Sequence, residues 1–211
     1  MNTTYNHLAG KSLERLAALS DGIFGVAMTL LLLQLTVPDK SEIHSESQLL
    51  HFLAVHTSDV LVYLMSFMTL GIFWVGQQVQ LTYLKDSDRH LTWINLAFLF
   101  AVTILPFSTR LLATFTTYRI ALLVYWGTIA LLGALLYGCW GYAGRTKLIK
   151  DDLPLEIQVA ICRRIWIAQS LYAVGAALCV LSTYLSIGVI VLIQLNYAVA
   201  PGWRRGGKRA A

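Results

Sequence analysis

Long apolar stretches bounded by short polar segments alternate along this chain of 211 residues. A helix needs about 20 apolar residues to cross the ~30 Å hydrocarbon core of a membrane. Transmembrane β-strands are disfavoured, because they alternate apolar and polar positions over about ten residues. The pattern predicts an all-α, polytopic membrane protein in which residues 1–211 form a single domain of six transmembrane helices. The predicted helices cover approximately residues 20–37, 60–78, 91–108, 120–142, 165–181 and 185–200.

The composition narrows the class of protein further. The chain is 57% hydrophobic and 13% charged, whereas soluble domains are about 45–50% apolar and about 25% charged. This argues against a soluble enzyme, and also against disorder, which requires low hydrophobicity and high net charge. An intramembrane enzyme would need a nucleophile and a base, or metal ligands, within the bilayer. The five histidines lie instead in predicted termini and loops: His7, His44, His51, His56 and His90. We therefore expect no catalytic residue, no metal site and no cofactor.

The positions of the basic residues predict the orientation. A formal net charge of +5 could suggest a nucleic-acid partner, but the sixteen Lys and Arg residues are collected between the apolar stretches. With the amino terminus in the cytoplasm, thirteen of them fall inside, and only Lys40, Arg110 and Arg119 fall outside. Cytoplasmic loops are enriched in basic residues. We therefore expect both termini in the cytoplasm, the lipid bilayer as the surroundings, and no nucleic-acid partner.

The first predicted helix carries polar residues that generic membrane helices lack. An ionisable Asp21 costs about 2.5 kcal/mol or more if it lies deep in the membrane, so it should be paired or hydrogen-bonded. One alternative is that Ser20 or Asp21 simply caps the start of the helix, where side-chain oxygens accept backbone N–H bonds. A helix cap would explain the presence of Ser20 and Asp21 but not that of Arg15.

The same helix carries an apolar stripe. At 100° per residue, Val26, Leu30 and Leu33 lie within about 60° of one another, and Asp21 lies about 140° from Val26. The stripe is therefore free to face something other than the partners of Asp21. Periodicity alone does not distinguish ordinary helix packing from the lining of a pore.

At these residues the chain resembles the transmembrane protein 175 family, the endosomal and lysosomal potassium channels and their bacterial relatives. The family signature is an arginine, three variable positions, phenylalanine-serine-aspartate, and a threonine eight residues later. The residues that match it are Arg15, Ser20, Asp21 and Thr29, with Leu19 in place of the phenylalanine. Two further stretches agree with the family pattern: Trp74 near the end of helix two, and Asn95 followed by Leu105, Pro106, Phe107 and Thr109 in helix three. Gln77 occupies the place of a family histidine, and because glutamine does not titrate, a proton-sensitive role does not transfer to it.

The resemblance implies a function. It implies that six-helix subunits assemble as homotetramers in the bacterial inner membrane, with the four first helices around a pore that potassium permeates. Val26, Leu30 and Leu33 would form hydrophobic constriction rings that act as a gate, and Thr29 would support selectivity. The alternative for Thr29 is that its hydroxyl bonds back to a carbonyl of its own helix. The resemblance nominates six residues as a structural polar network: Arg15, Ser20, Asp21, Trp74, Gln77 and Asn95.

A secondary transporter of a small ion or solute is the main alternative function. Such proteins usually consist of two related halves with helices broken at matching positions. Here Pro106 has no counterpart in the later predicted helices. Saturable flux coupled to a proton gradient would favour the transporter, and a membrane scaffold would give no flux at all.

Overall fold

The computed structural model describes residues 12–41 and 43–203, with side chains as far as residue 197. These residues form seven α-helices, so the predicted all-α class is confirmed. The helices are α1 (Leu13–Leu32), α2 (Glu46–Val55), α3 (Thr57–Thr82), α4 (Arg89–Thr114), α5 (Arg119–Arg145), α6 (Leu155–Ala177) and α7 (Thr183–Trp203). A short 3₁₀ turn, Leu178–Val180, joins α6 to α7.

Four of the described helices, α1, α3, α4 and α5, are long and apolar enough to cross a membrane, which makes the chain an integral membrane protein. The first four predicted spans fall largely within them. The last two fall largely within α6 and α7. These two helices are less clearly long and apolar enough to cross a membrane. The first half of α6 contains Glu156, Arg163 and Arg164, and the apolar part of α7, Thr183–Tyr197, is shorter. A total of six spans therefore stays a prediction.

The first helix begins earlier than predicted. Ser12 is its N-cap, and the Ser12 hydroxyl accepts a hydrogen bond from the backbone N–H of Arg15 at 3.2 Å. The segment that follows Ser12 is rich in Leu and Ala, which favour helix, so the helix starts before the apolar run. The hypothesis that Ser20 or Asp21 caps the helix is therefore wrong, since both lie inside α1.

Helix α2 is absent from the sequence prediction. Its N-cap, Ser45, accepts a hydrogen bond from the backbone N–H of Gln48 at 3.3 Å. At ten residues it is too short to appear in a search for membrane spans. It has no buried residue and leads directly into α3.

Helix α4 is the centre of the bundle and packs against α1, α3 and α5. Phe98 of α4 lies 6.1 Å from Phe24 of α1 and 6.3 Å from Phe73 of α3, measured between ring centroids. Helices α6 and α7 pack on each other, α6 also contacts α5, and α7 contacts α3. Helix α1 is therefore an outer element of the subunit, with one face against α3 and α4.

The α3–α4 and α5–α6 loops meet at one end of the bundle. The backbone N–H of Lys85 donates to the carbonyl of Leu148 at 2.9 Å, and that of Lys150 donates to the carbonyl of Tyr83 at 3.0 Å. The Lys85 ammonium also pairs with Asp151 at 2.7 Å. Both loops lie on the predicted cytoplasmic side, so their contact agrees with the proposed order of spans.

Candidate functional site

One face of α1 is fixed against the rest of the subunit. Its buried residues recur every three or four positions, which is one side of a helix. They are Leu16, Ser20, Phe24, Ala27 and Leu31. The aliphatic and aromatic members pack in the core, whereas Ser20 is a fully buried hydroxyl that needs a polar partner.

Ser20 finds that partner on α3, and a hydrogen-bonded chain continues to α4. The Ser20 hydroxyl donates to Oε1 of Gln77. Nε2 of Gln77 donates to Oδ1 of Asn95 at 3.3 Å, and Nδ2 of Asn95 donates to the carbonyl of Leu91 at 3.0 Å. All three polar side chains are at most 3% exposed. A single buried network therefore joins α1, α3 and α4.

Asp21 is held by a second set of contacts. Its Oδ1 accepts hydrogen bonds from Nε1 of Trp74 at 2.8 Å and from Nε2 of Gln78 at 2.7 Å. Hydrogen bonds to a carboxylate are stronger than those between neutral groups. Sequence reasoning missed Gln78, although it lies four residues after Trp74 and so on the same face of α3.

Arg15 stands apart from these contacts. Its side chain is exposed, and the hydrogen bond described for it is the one that its backbone N–H makes to Ser12. By the helical repeat, Arg15 lies about 20° from Val26 around α1. The structure thus brings together Ser20, Asp21 and their partners on one side of α1, and leaves Arg15 in line with the apolar stripe.

The apolar stripe faces away from its own subunit. Val26 is 58% exposed, Leu30 45% and Leu33 77%. The Thr29 hydroxyl, on the same side, donates to the carbonyl of Val26 at 2.8 Å. The stripe is therefore not sealed against a neighbouring helix of the same chain.

A second buried polar cluster was not anticipated from the sequence. The Ser66 hydroxyl lies 2.9 Å from that of Thr109 and 3.3 Å from that of Tyr125. The Tyr125 hydroxyl lies 3.0 Å from that of Thr69, which accepts a hydrogen bond from Nε2 of Gln194 at 2.7 Å. The cluster joins α3, α4, α5 and α7. In the sequence, this cluster is visible only as polar residues inside apolar runs. Predicting which of them bond to one another requires knowledge of which helices are neighbours.

The fold and the anchored first helix define a helical membrane protein, and comparisons with known proteins show what it is similar to. The family model described as endosomal/lysosomal potassium channel TMEM175 matches residues 15–106. A protein named as a potassium channel from Chamaesiphon minutus is 28% identical over 189 residues, covering 88% of this chain and 93% of its own length. Another so named, from Streptomyces collinus, is 28% identical over 190 residues, covering 87% and 90%.

A solved structure agrees with these matches. The crystal structure described as a lysosomal potassium-selective channel TMEM175 homolog from Chamaesiphon minutus superposes with a TM-score of 0.78. It is 27% identical and covers 90% of this chain and 98% of its own. The family model, the two named relatives and the solved structure together confirm the resemblance to the TMEM175 family that the first helix predicts.

Proposed function

We propose that this chain is one subunit of a potassium-permeable channel in which four copies surround a central pore lined by α1. Its bacterial relatives are named as potassium channels. The observation that carries the proposal for the pore is the exposed stripe of Val26, Leu30 and Leu33, on a helix whose opposite side is fixed by buried contacts. In this arrangement the amino and carboxyl termini lie in the cytoplasm of a bacterial cell and the protein in its inner membrane.

Rings of aliphatic side chains suggest how such a pore would work. Four Val or Leu side chains around an axis offer no ligands, so a narrow ring excludes water and blocks ions, and a slightly wider ring passes a partly hydrated ion. Potassium holds its hydration shell less tightly than sodium, so the rings favour potassium moderately. The chain contains no Thr-Val-Gly-Tyr-Gly filter of the kind that gives strong selectivity through carbonyl ligands.

The polar contacts of α1 would position the rings. Ser20 and Asp21 attach α1 to α3 at two adjacent positions, through Gln77 and through Trp74 with Gln78. The stripe begins about one and a half turns further along the same helix. A small movement of α3 would therefore be passed to α1 and change the width of the rings.

Purified protein reconstituted in liposomes tests this function. Under a potassium gradient we expect flux well above that of protein-free vesicles, with no steep dependence on voltage, because none of the helices in the described part of the chain carries the ladder of arginines that senses voltage. Flux that saturates with potassium and moves protons in proportion would indicate the transporter instead. If vesicles with protein show no more potassium flux than protein-free vesicles, the proposal that this chain forms a channel would be wrong.

A further inference from the structure

Arg164 of α6 lies between two apolar spaces. On one side is a partly open cavity of about 240 Å³ lined by residues of α3, α5, α6 and α7. On the other is an open groove of about 700 Å³ between α1 and α3, on a different side of α1 from the Val26 stripe. Arg164 and Tyr197 line both spaces.

The walls of the inner cavity are suited to hydrocarbon. Most of its lining is aliphatic or aromatic, including Phe73, Val79 and Leu136. Two amide side chains in the lining already donate within the protein. Nε2 of Gln80 donates to the carbonyl of Leu136 at 3.1 Å, and Nε2 of Gln169 to that of Ile129 at 3.4 Å.

Arg164 supplies a positive charge at the junction of the two spaces. Its guanidinium carbon lies 5.6 Å from the centre of the Tyr197 ring, which holds the side chain in place by a cation–π contact. No carboxylate lies within ion-pair distance of it in the part of the chain that the structure describes. Asp21 borders the outer groove, but its Oδ1 is occupied by Trp74 and Gln78.

In the predicted orientation of α6 as a membrane span, Arg164 lies inside the hydrocarbon core, near its cytoplasmic edge. From Arg164 to the end of α6 at Ala177 the helix rises about 20 Å, less than the ~30 Å hydrocarbon core. An arginine at this depth extends its charged end to the headgroup region. Basic pockets between membrane helices on the cytoplasmic side bind anionic headgroups.

We propose that Arg164 binds the phosphate of an anionic phospholipid with two acyl chains, one in the inner cavity and one in the outer groove. A single guanidinium flanked by two apolar spaces matches a ligand in which one phosphate carries two hydrocarbon chains. The guanidinium suits this phosphate because it donates two parallel hydrogen bonds. The site does not include the Val26 stripe, although Asp21 and Trp74 border its outer groove.

Native mass spectrometry of the full-length protein, released from detergent with added phosphatidylglycerol, tests the proposal. We expect a retained phosphatidylglycerol adduct, and about tenfold weaker binding in Arg164→Gln, as expected for loss of one charge-assisted contact. The matched control is Arg163→Gln, because Arg163 is exposed and lines neither space. Equal loss in both variants would mean general surface attraction and overturn the site.

Three further ligands and one further variant complete the test. Phosphatidylcholine, lysophosphatidylglycerol and glycerol phosphate are each expected to bind more weakly than phosphatidylglycerol. Equal binding of phosphatidylcholine would show that the net charge is not needed, and equal binding of lysophosphatidylglycerol would show that the second acyl chain is not needed. Equal binding of glycerol phosphate would show that no acyl chain is needed. Each of these results would contradict the proposal. Ala168→Phe fills the inner cavity that Ala168 lines and leaves Arg164 in place. It should also weaken phosphatidylglycerol binding, which keeps the proposal testable if Arg164→Gln does not fold.

Discussion

Replacing Leu30 by asparagine should increase potassium flux through the reconstituted protein by about tenfold or more. All copies change together, so an amide would replace each leucine of one ring and hydrogen-bond to water where the leucines exclude it. Lowering the barrier to permeation by about 1.4 kcal/mol is enough for a factor of ten. The same change should reduce the preference for potassium over sodium. Liposome flux assays under matched potassium and sodium gradients measure both effects.

Leu32→Asn is the matched control for this substitution. Leu32 is on the same helix and is exposed to a similar extent, 56% against 45% for Leu30. It lies about 160° away from Leu30 around the helix. We expect flux and selectivity close to those of the unmodified protein. Similar flux for both variants, whether raised or unchanged, would mean that the Leu30 side of α1 does not line the path of the ion.

Replacing Gln77 by leucine should destabilise the subunit strongly. The substitution leaves the Ser20 hydroxyl and Oδ1 of Asn95 without their present partners in a buried site. Each unsatisfied buried polar group costs about 1–3 kcal/mol, so the free energy of unfolding should fall by about 2–6 kcal/mol. Denaturant titration of the detergent-solubilised protein, followed by tryptophan fluorescence, measures the loss.

Two variants separate this network from a general effect of substitution in α3. Gln78→Leu removes one of two hydrogen-bond donors to Asp21. Because the exposed carboxylate of Asp21 can hydrogen-bond to water instead, we expect the free energy of unfolding to fall by only about 1 kcal/mol. Gln77→His should retain much of the stability, because a neutral imidazole has one acceptor for Ser20 and one donor for Asn95. If Gln77→Leu were no less stable than Gln78→Leu, the Ser20 network would not be what anchors α1.

The sequence predicted those parts of the site that depend on one helix alone. The 100° repeat placed Asp21 apart from the Val26 stripe, and the structure finds the stripe exposed and Asp21 bonded to α3. The family pattern nominated Trp74, Gln77 and Asn95. The structure bonds Trp74 to Asp21, Gln77 to Ser20, and Asn95 to Gln77. Nominating these residues required the family pattern, because they lie more than 50 positions along the chain from Ser20 and Asp21.

Other features could not be found by searching for apolar runs. The start of α1 depends on the Ser12 cap and on residues with high helix propensity, and helix α2 is too short to span a membrane. The pairing of Gln194 with Thr69 depends on α7 lying beside α3, a contact between segments 125 residues apart. Short-range patterns carry no information about which distant helices become neighbours.

The proposed pore requires that Val26, Leu30 and Leu33 of identical copies form the narrowest rings around a shared axis. A density map of the purified particle, viewed along its symmetry axis, tests it most directly. We expect fourfold symmetry, with α1 of each copy nearest the axis and these three side chains pointing toward it. A map in which α1 lies at the lipid-facing edge of the particle, or in which another helix surrounds the centre, would contradict the proposed pore.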